Sequence, residues 1–88
     1  VSGPVIEMER LIAMANQIGD FFAPYPSPQR EEGVRNHLRN YWDPRMREAL
    51  LDHLRDHNGA GLHPHVIEGA RLLAVVQGKK AYAGPPAP

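Results

Sequence analysis

Asn40-Tyr41-Trp42-Asp43-Pro44-Arg45-Met46-Arg47 is the stretch on which the fold turns. Asp followed by Pro is a helix start: the carboxylate can accept from the free N–H groups of a first turn, and proline has no N–H to lose there. Proline also biases the residue before it out of the helical region. A helix running into Trp42 must therefore stop, and another must begin at once, with a sharp bend between them.

Upstream of the bend, Val34, Leu38 and Tyr41 form an apolar stripe at helical spacing, with His37 or Trp42 at its margin. Ser27-Pro28 repeats the cap-plus-proline signal at the start of this second helix, and Glu31 and Glu32 fall in its first turn, where the helix dipole favours negative charge. Downstream, Met46, Ala49, Leu50, His53 and Leu54 mark the inner face of a third helix. It should close near His57, because Asn58-Gly59 suits a left-handed end. After Gly59-Ala60-Gly61, Pro64 can open a fourth helix with Ile67, Ala70, the stem of Arg71, Leu73 or Ala74, and Gln77 inward, and Gly78 as its stop. At the other end, Met8, Leu11, Ile12, Ala15, Ile18 and Phe22 recur at three- and four-residue steps, which predicts a first helix. The three prolines of Ala23-Pro24-Tyr25-Pro26-Ser27-Pro28 must end it.

No strand-like alternation and no internal repeat interrupts this pattern. The expectation is an all-α bundle of four short helices in one domain, residues 5–78, followed by a flexible Pro-rich tail, residues 79–88. Eighty-eight residues make a small core with only a few kcal/mol of net stability, so association with a larger partner would help the chain. The longest unbroken apolar run is Leu72-Leu73-Ala74-Val75-Val76, far short of the ~20 residues that span a bilayer. The N-terminus shows no basic region followed by an apolar stretch, and a soluble chain without an export signal is expected.

Most catalytic chemistry lacks its residues. With no cysteine there is no disulfide, thiolate metal site or iron–sulfur ligand in the chain, and with two serines and no threonine a hydrolytic nucleophile has little to draw on. Gly59 and Gly61 lack the third glycine and the preceding strand of a dinucleotide fingerprint. His53 and His57, one turn apart, with His63 and His65 close behind, could share a metal. No Glu completes an H-E-x-x-H pattern, however, and a core-edge histidine, a helix-end histidine and two loop histidines account for the same four residues.

The basic residues say more. Arg35, Arg39, Arg45 and Arg47 stand against the single acid Asp43, and arginine outnumbers lysine eight to two. The guanidinium fork suits carboxylates, phosphates and aromatic faces, which makes this stretch a contact region, although Arg35 and Arg39 could instead pair with Glu31 and Glu32 along their helix. Trp42 within it is either a core anchor, the favoured reading in so small a core, or an interface hot spot. A helix-turn-helix nucleic-acid module is the rival reading. Residues 1–78 carry 8 basic and 10 acidic residues, and that negative balance argues against phosphate binding.

Three segments resemble a known family: Met14-Ala15-Asn16-Gln17-Ile18 with Phe21-Phe22; His37-Leu38-Arg39-Asn40-Tyr41-Trp42-Asp43-Pro44-Arg45-Met46-Arg47; and Gly59-Ala60-Gly61-Leu62 followed by Pro64. Together they are similar to the delta subunit of cytoplasmic NAD-dependent formate dehydrogenases that contain molybdenum or tungsten. The resemblance covers about residues 6–76, and Trp42-Asp43-Pro44-Arg45-Met46-Arg47 is its most specific part. Asp is common in the family where this chain has His63, a departure that touches only the cap of the fourth helix.

The resemblance implies a non-catalytic subunit bound to the large molybdopterin-bearing subunit of a complex. The other chains of that complex carry iron–sulfur clusters, FMN and the NAD site. It implies a role in assembly or stabilisation of the complex, to which molybdopterin insertion could be added. On this expectation Arg39, Arg45 and Arg47 make charge-assisted contacts to the large subunit, and Trp42 and Met46 pack the bend that presents them. Asn16 and Gln17, at the edge of the first helix's stripe, hydrogen-bond either to the bend or to the partner.

Overall fold

The computed structural model describes residues 7–76. Residues 5 and 6, the inward position expected for Gln77, the stop expected at Gly78 and the tail expected over 79–88 lie outside the described residues. Four helices follow one another without strands among the described residues: α1 Met8–Phe22, α2 Gln29–Tyr41, α3 Pro44–His57 and α4 Pro64–Val76.

The bend forms as its residues dictate. Asp43 is extended and its Oδ1 accepts from the Met46 backbone N–H at 3.0 Å, while Pro44 takes the first helical position of α3. The stop leaves carbonyl groups at the end of α2 without helical donors. The Arg47 guanidinium reaches back to them, its Nη1 donating to the Arg39 carbonyl at 3.3 Å and to that of Trp42 through a very short contact. Trp42 leaves the helix with φ −87° and ψ 139°, and this turn carries its ring into the core.

That turn corrects one expectation. Val34, Leu38 and Trp42 continue a single row at four-residue spacing and are all buried, whereas Tyr41, expected on the inner stripe, is 75% exposed. The start of α2 also differs. Pro28, not Ser27, occupies the cap position, no side chain caps the helix, and the Ser27–Pro28 peptide bond is cis. The Ser27 hydroxyl donates instead to Glu31 Oε1 at 2.6 Å, with Arg30 Nη2 on Glu31 Oε2 at 3.0 Å. The first-turn positions of Glu31 and Glu32 are as expected.

Helix α2 lies most extensively against α4. The approach is close because Gly69 has no side chain: a Cβ there would stand 2.6 Å from Val34 Cγ1 and 3.1 Å from the Glu31 carbonyl oxygen. This sets the buried face of α4 as Val66, Gly69, Ala70, Leu73 and Ala74. Of the residues expected inward, Ala70, Leu73 and Ala74 are buried, Ile67 is only partly buried and Arg71 is exposed, so the buried face is shifted from the predicted one toward Val66 and Gly69. On α3, Leu51 joins Leu50 and Leu54 in the core, with Met46 and Ala49 partly buried beside them.

Polar side chains lock the loops. Asn16 on α1 donates through Nδ2 to the Gly61 carbonyl at 2.9 Å and accepts the His63 N–H on Oδ1 at 3.0 Å, which holds the entry to α4 in place of a side-chain cap from His63 itself. His65 Nε2 donates to the Gly19 carbonyl and His53 Nε2 to that of Ala60, each at 2.8 Å. His65 lies in the first turn of α4 rather than in the preceding loop. Helix α3 ends on Asn58 with φ 56°, followed by Gly59 with φ 71°, the left-handed end expected of that pair.

Asn16→Ala strips a partner from both the His63 N–H and the Gly61 carbonyl. It should cost about 1–3 kcal/mol, lowering Tm by roughly 4 °C or more in a thermal melt, with the helical circular dichroism at 25 °C retained. The Ser27 hydroxyl, followed by the backbone and Arg30, holds the Glu31 carboxyl below the usual carboxylate range. A depressed folded pKa contributes stability that is complete above the unfolded value and is lost as pH falls through the folded one. Ser27→Ala should move the Glu31 titration, followed by carboxyl carbon NMR, upward toward the ordinary glutamate range.

Candidate partner-binding face

Along α1, Arg10, Met14, Gln17 and Phe21 fall at steps of four, three and four residues, a row beside the core-facing stripe. Met14, Gln17 and Phe21 of this row, with Ile18 and Phe22, form one wall of a groove of about 430 Å³ whose other wall is His37 and Trp42. Phe21 is 67% exposed and makes an edge-on contact with Phe22 at 4.9 Å between ring centres, and Tyr25 closes the cluster 5.8 Å from Phe22. On the opposite wall the exposed Tyr41 ring lies 4.8 Å from that of His37. Phe21, Tyr25 and Tyr41 are three of the five large apolar or aromatic residues left exposed among the described residues; Val75 and Val76, at the end of α4, are the others.

The structure separates the six residues singled out in the sequence into two groups. Asn16, Trp42 and Arg47 are engaged by their own chain: Asn16 clamps the α3–α4 loop, Trp42 is 5% exposed, and Arg47 caps α2 with its Nε buried and unpaired. Of the two roles expected for Asn16, the bond to the bend does not form: its amide is bonded to the Gly61 carbonyl and the His63 N–H. Gln17, Arg39 and Arg45 are exposed. Gln17 and Trp42 meet at the groove, and Arg39 and Arg45 stand three residues to either side of Trp42.

The internal pairing open to Arg35 and Arg39 does not form. Glu31 is occupied by Ser27 and Arg30, and Arg35 Nε donates to Asn36 Oδ1 at 3.1 Å. Among the described residues Arg39 and Arg45 have no carboxylate within ion-pair distance. The acids that do pair lie elsewhere: Asp52 and Asp56 with Arg55, Glu68 with Arg71, and Asp20 with His63. Arg55 and Asp56 each hold the other in its charged form, raising the guanidinium pKa and lowering that of the carboxyl. Asp43, the single acid of the Arg-rich stretch, has one oxygen on the Met46 N–H.

Among the described residues no three histidines, aspartates or glutamates converge on a point that could hold a metal ion. The rings of His53 and His57 are 5.4 Å apart, but His53 is turned to the Ala60 carbonyl. No helix of the described residues is long and apolar enough to cross a membrane. The groove itself was not read from the sequence. Its signal was present in Met14 and Phe21, large apolar residues two turns apart that the core-facing stripe of α1 leaves out.

No curated protein and no solved structure resembles the chain closely enough to register. The family of the NADH-dependent formate dehydrogenase delta subunit, FdsD, matches residues 10–70, from the first turn of α1 through the first half of α4, and so takes in both walls of the groove and the whole bend. The match covers most of the chain, which therefore belongs to the formate dehydrogenase delta subunit family.

Proposed function

We propose that this chain is a non-catalytic subunit that assembles with a cytoplasmic formate dehydrogenase and stabilises it by docking on the large molybdopterin-bearing subunit. In this reading the molybdopterin with molybdenum or tungsten, the iron–sulfur clusters, the FMN and the NAD site all belong to the other subunits. This chain's contribution to cofactor insertion is to hold the large subunit in a form that accepts the molybdopterin.

One observation carries the reading: the bend holds Arg39 and Arg45, exposed and without a carboxylate in ion-pair distance among the described residues, each three residues from Trp42, which lines an apolar groove edged by exposed Phe21 and Tyr41. Aromatic and arginine side chains together are the composition that dominates protein interfaces. Arg39, Arg45 and Gln17 make the contacts. Trp42, Met46 and Arg47 hold the surface that presents them.

The double variant Arg39→Ala with Arg45→Ala should leave Tm nearly unchanged, since both side chains are exposed and have no ion-pair partner among the described residues. Its retention on the large subunit in a co-purification should fall by about tenfold or more, the scale of losing a charge-assisted contact. Full retention by the double variant contradicts the assignment of the docking face. Large subunit produced without this chain should also contain less molybdenum or tungsten, and equal metal content would restrict the role to stabilisation.

A further inference from the structure

The groove between α1 and the bend is open, and its lining is apolar apart from Gln17 and His37. Gln17 is exposed, whereas His37 Nδ1 is buried without a partner. An ordinary peptide laid in such a groove would bury backbone N–H groups with little to accept them, which is unfavourable. Proline has no N–H. A Pro-rich segment in the polyproline II conformation is already extended, and aromatic-lined grooves bind such segments with little loss of entropy. Phe21, Phe22 and Trp42 line this groove, and the Tyr41 ring stands against that of His37 on its wall.

The chain carries such a segment. Past Val76, outside the described residues, its sequence includes Gly84-Pro85-Pro86-Ala87-Pro88. Contacts along α4 fix where that stretch of chain departs. Pro64, His65 and Glu68 share a hollow with Arg30 and Glu31 at the start of α2, and Gly69 lies against Val34, where a Cβ would stand 2.6 Å from Val34 Cγ1. The two helices therefore advance together, and Val76, about 10 Å along α4 from Gly69, draws level with Tyr41, about 10 Å along α2 from Val34. Helix α3 gives the same placement. Ile67 meets Gly59 and Leu54 at the far end of α3, so α4 runs back along α3 toward Pro44. The chain leaves α4 at the end of the bundle that holds the bend. Nine residues separate Val76 from Pro85, up to about 30 Å of extended chain. Each helix is only about 20 Å long, so the segment can reach the groove.

We propose that Pro85-Pro86-Ala87-Pro88 seats in this groove of its own chain, with proline rings against Phe21, Phe22 and Trp42 and a backbone carbonyl accepting from the Gln17 amide. The match is one of donors and acceptors: a segment rich in carbonyls and poor in N–H groups meets a lining whose exposed polar group can donate. Tethering makes the event intramolecular, so a weak intrinsic affinity is enough to fill the groove. The seat stands on the groove and the sequence alone. Its consequence rests on the docking reading above: the segment covers Gln17 in the free chain and leaves when the large subunit binds.

The single tryptophan, Trp42, reports on the seat. In the full chain, Pro85→Ala with Pro88→Ala should leave the helical circular dichroism unchanged, increase acrylamide quenching of Trp42 fluorescence, and shift the NMR amide resonances of Met14, Gln17, Phe21 and His37. A chain ending at Gly78 should show the same shifts, and a synthetic peptide of residues 79–88 added to it should move them back toward the full-chain positions. Superimposable groove resonances in the full, substituted and shortened chains overturn the proposal. Shifts that grow with protein concentration alongside a dimer in sedimentation also overturn it, because the segment then seats in a second copy. Retention on the large subunit separates the two readings. The shortened chain should be retained several-fold more strongly than the full one; equal retention with the groove shifts present keeps the seat and contradicts the docking face.

Discussion

Everything distinctive in this molecule depends on the break between Trp42 and Pro44. Asp43 accepts the Met46 N–H and Pro44 brings none of its own, so α3 can begin where α2 stops, with no spacer. The abrupt stop frees carbonyl groups at the end of α2, and Arg47 is drawn back to cover those of Arg39 and Trp42. It also sends successive aromatic residues in opposite directions, Trp42 into the core and Tyr41 to the surface. One local constraint thus builds a core anchor, an internal cap and an exposed aromatic at the same place.

The rest of the fold shows how a small chain supplements a small core. Its buried residues are nearly all Leu, Val and Ala, with a single large aromatic. Removing a core Trp typically costs about 3–5 kcal/mol, comparable with the whole stability of many domains of this size. For that reason Trp42 is informative about folding but not about docking. Hydrogen bonds across elements carry part of the load: Asn16 to the α3–α4 loop, His65 to α1, and His53 to the loop after its own helix. Four of the five histidines lie away from the groove, and His37, the fifth, forms part of its wall.

The four helices were legible because their signals are local. Prolines at 24, 26, 28, 44 and 64 and the Asn58-Gly59 pair punctuate the chain at the observed boundaries to within a residue or two. What remained hidden depended on tertiary contact. The predicted face of α4 found Ala70, Leu73 and Ala74 but missed its other edge, because Gly69 has no hydropathy to read and is buried where Val34 closes on it. Tyr41 looked like core because a periodic count cannot see that the chain leaves the helix one residue later. Ser27 looked like a cap because sequence does not show that its hydroxyl prefers the Glu31 carboxylate. The arginines were found as a stretch, yet their division into an internal cap at Arg47 and exposed side chains at Arg39 and Arg45 required coordinates. The groove needed two elements brought together, and neither announces it alone.

The most direct measurement of the central claim is hydrogen–deuterium exchange of this chain, free and within the formate dehydrogenase complex. Slowed exchange on assembly should concentrate in residues 14–22 and 37–47, the two walls of the groove and the bend, with the α3–α4 loop and the outer face of α3 unchanged. Protection centred on α3 and the loop after it, with the groove walls still exchanging as in the free chain, would contradict the account.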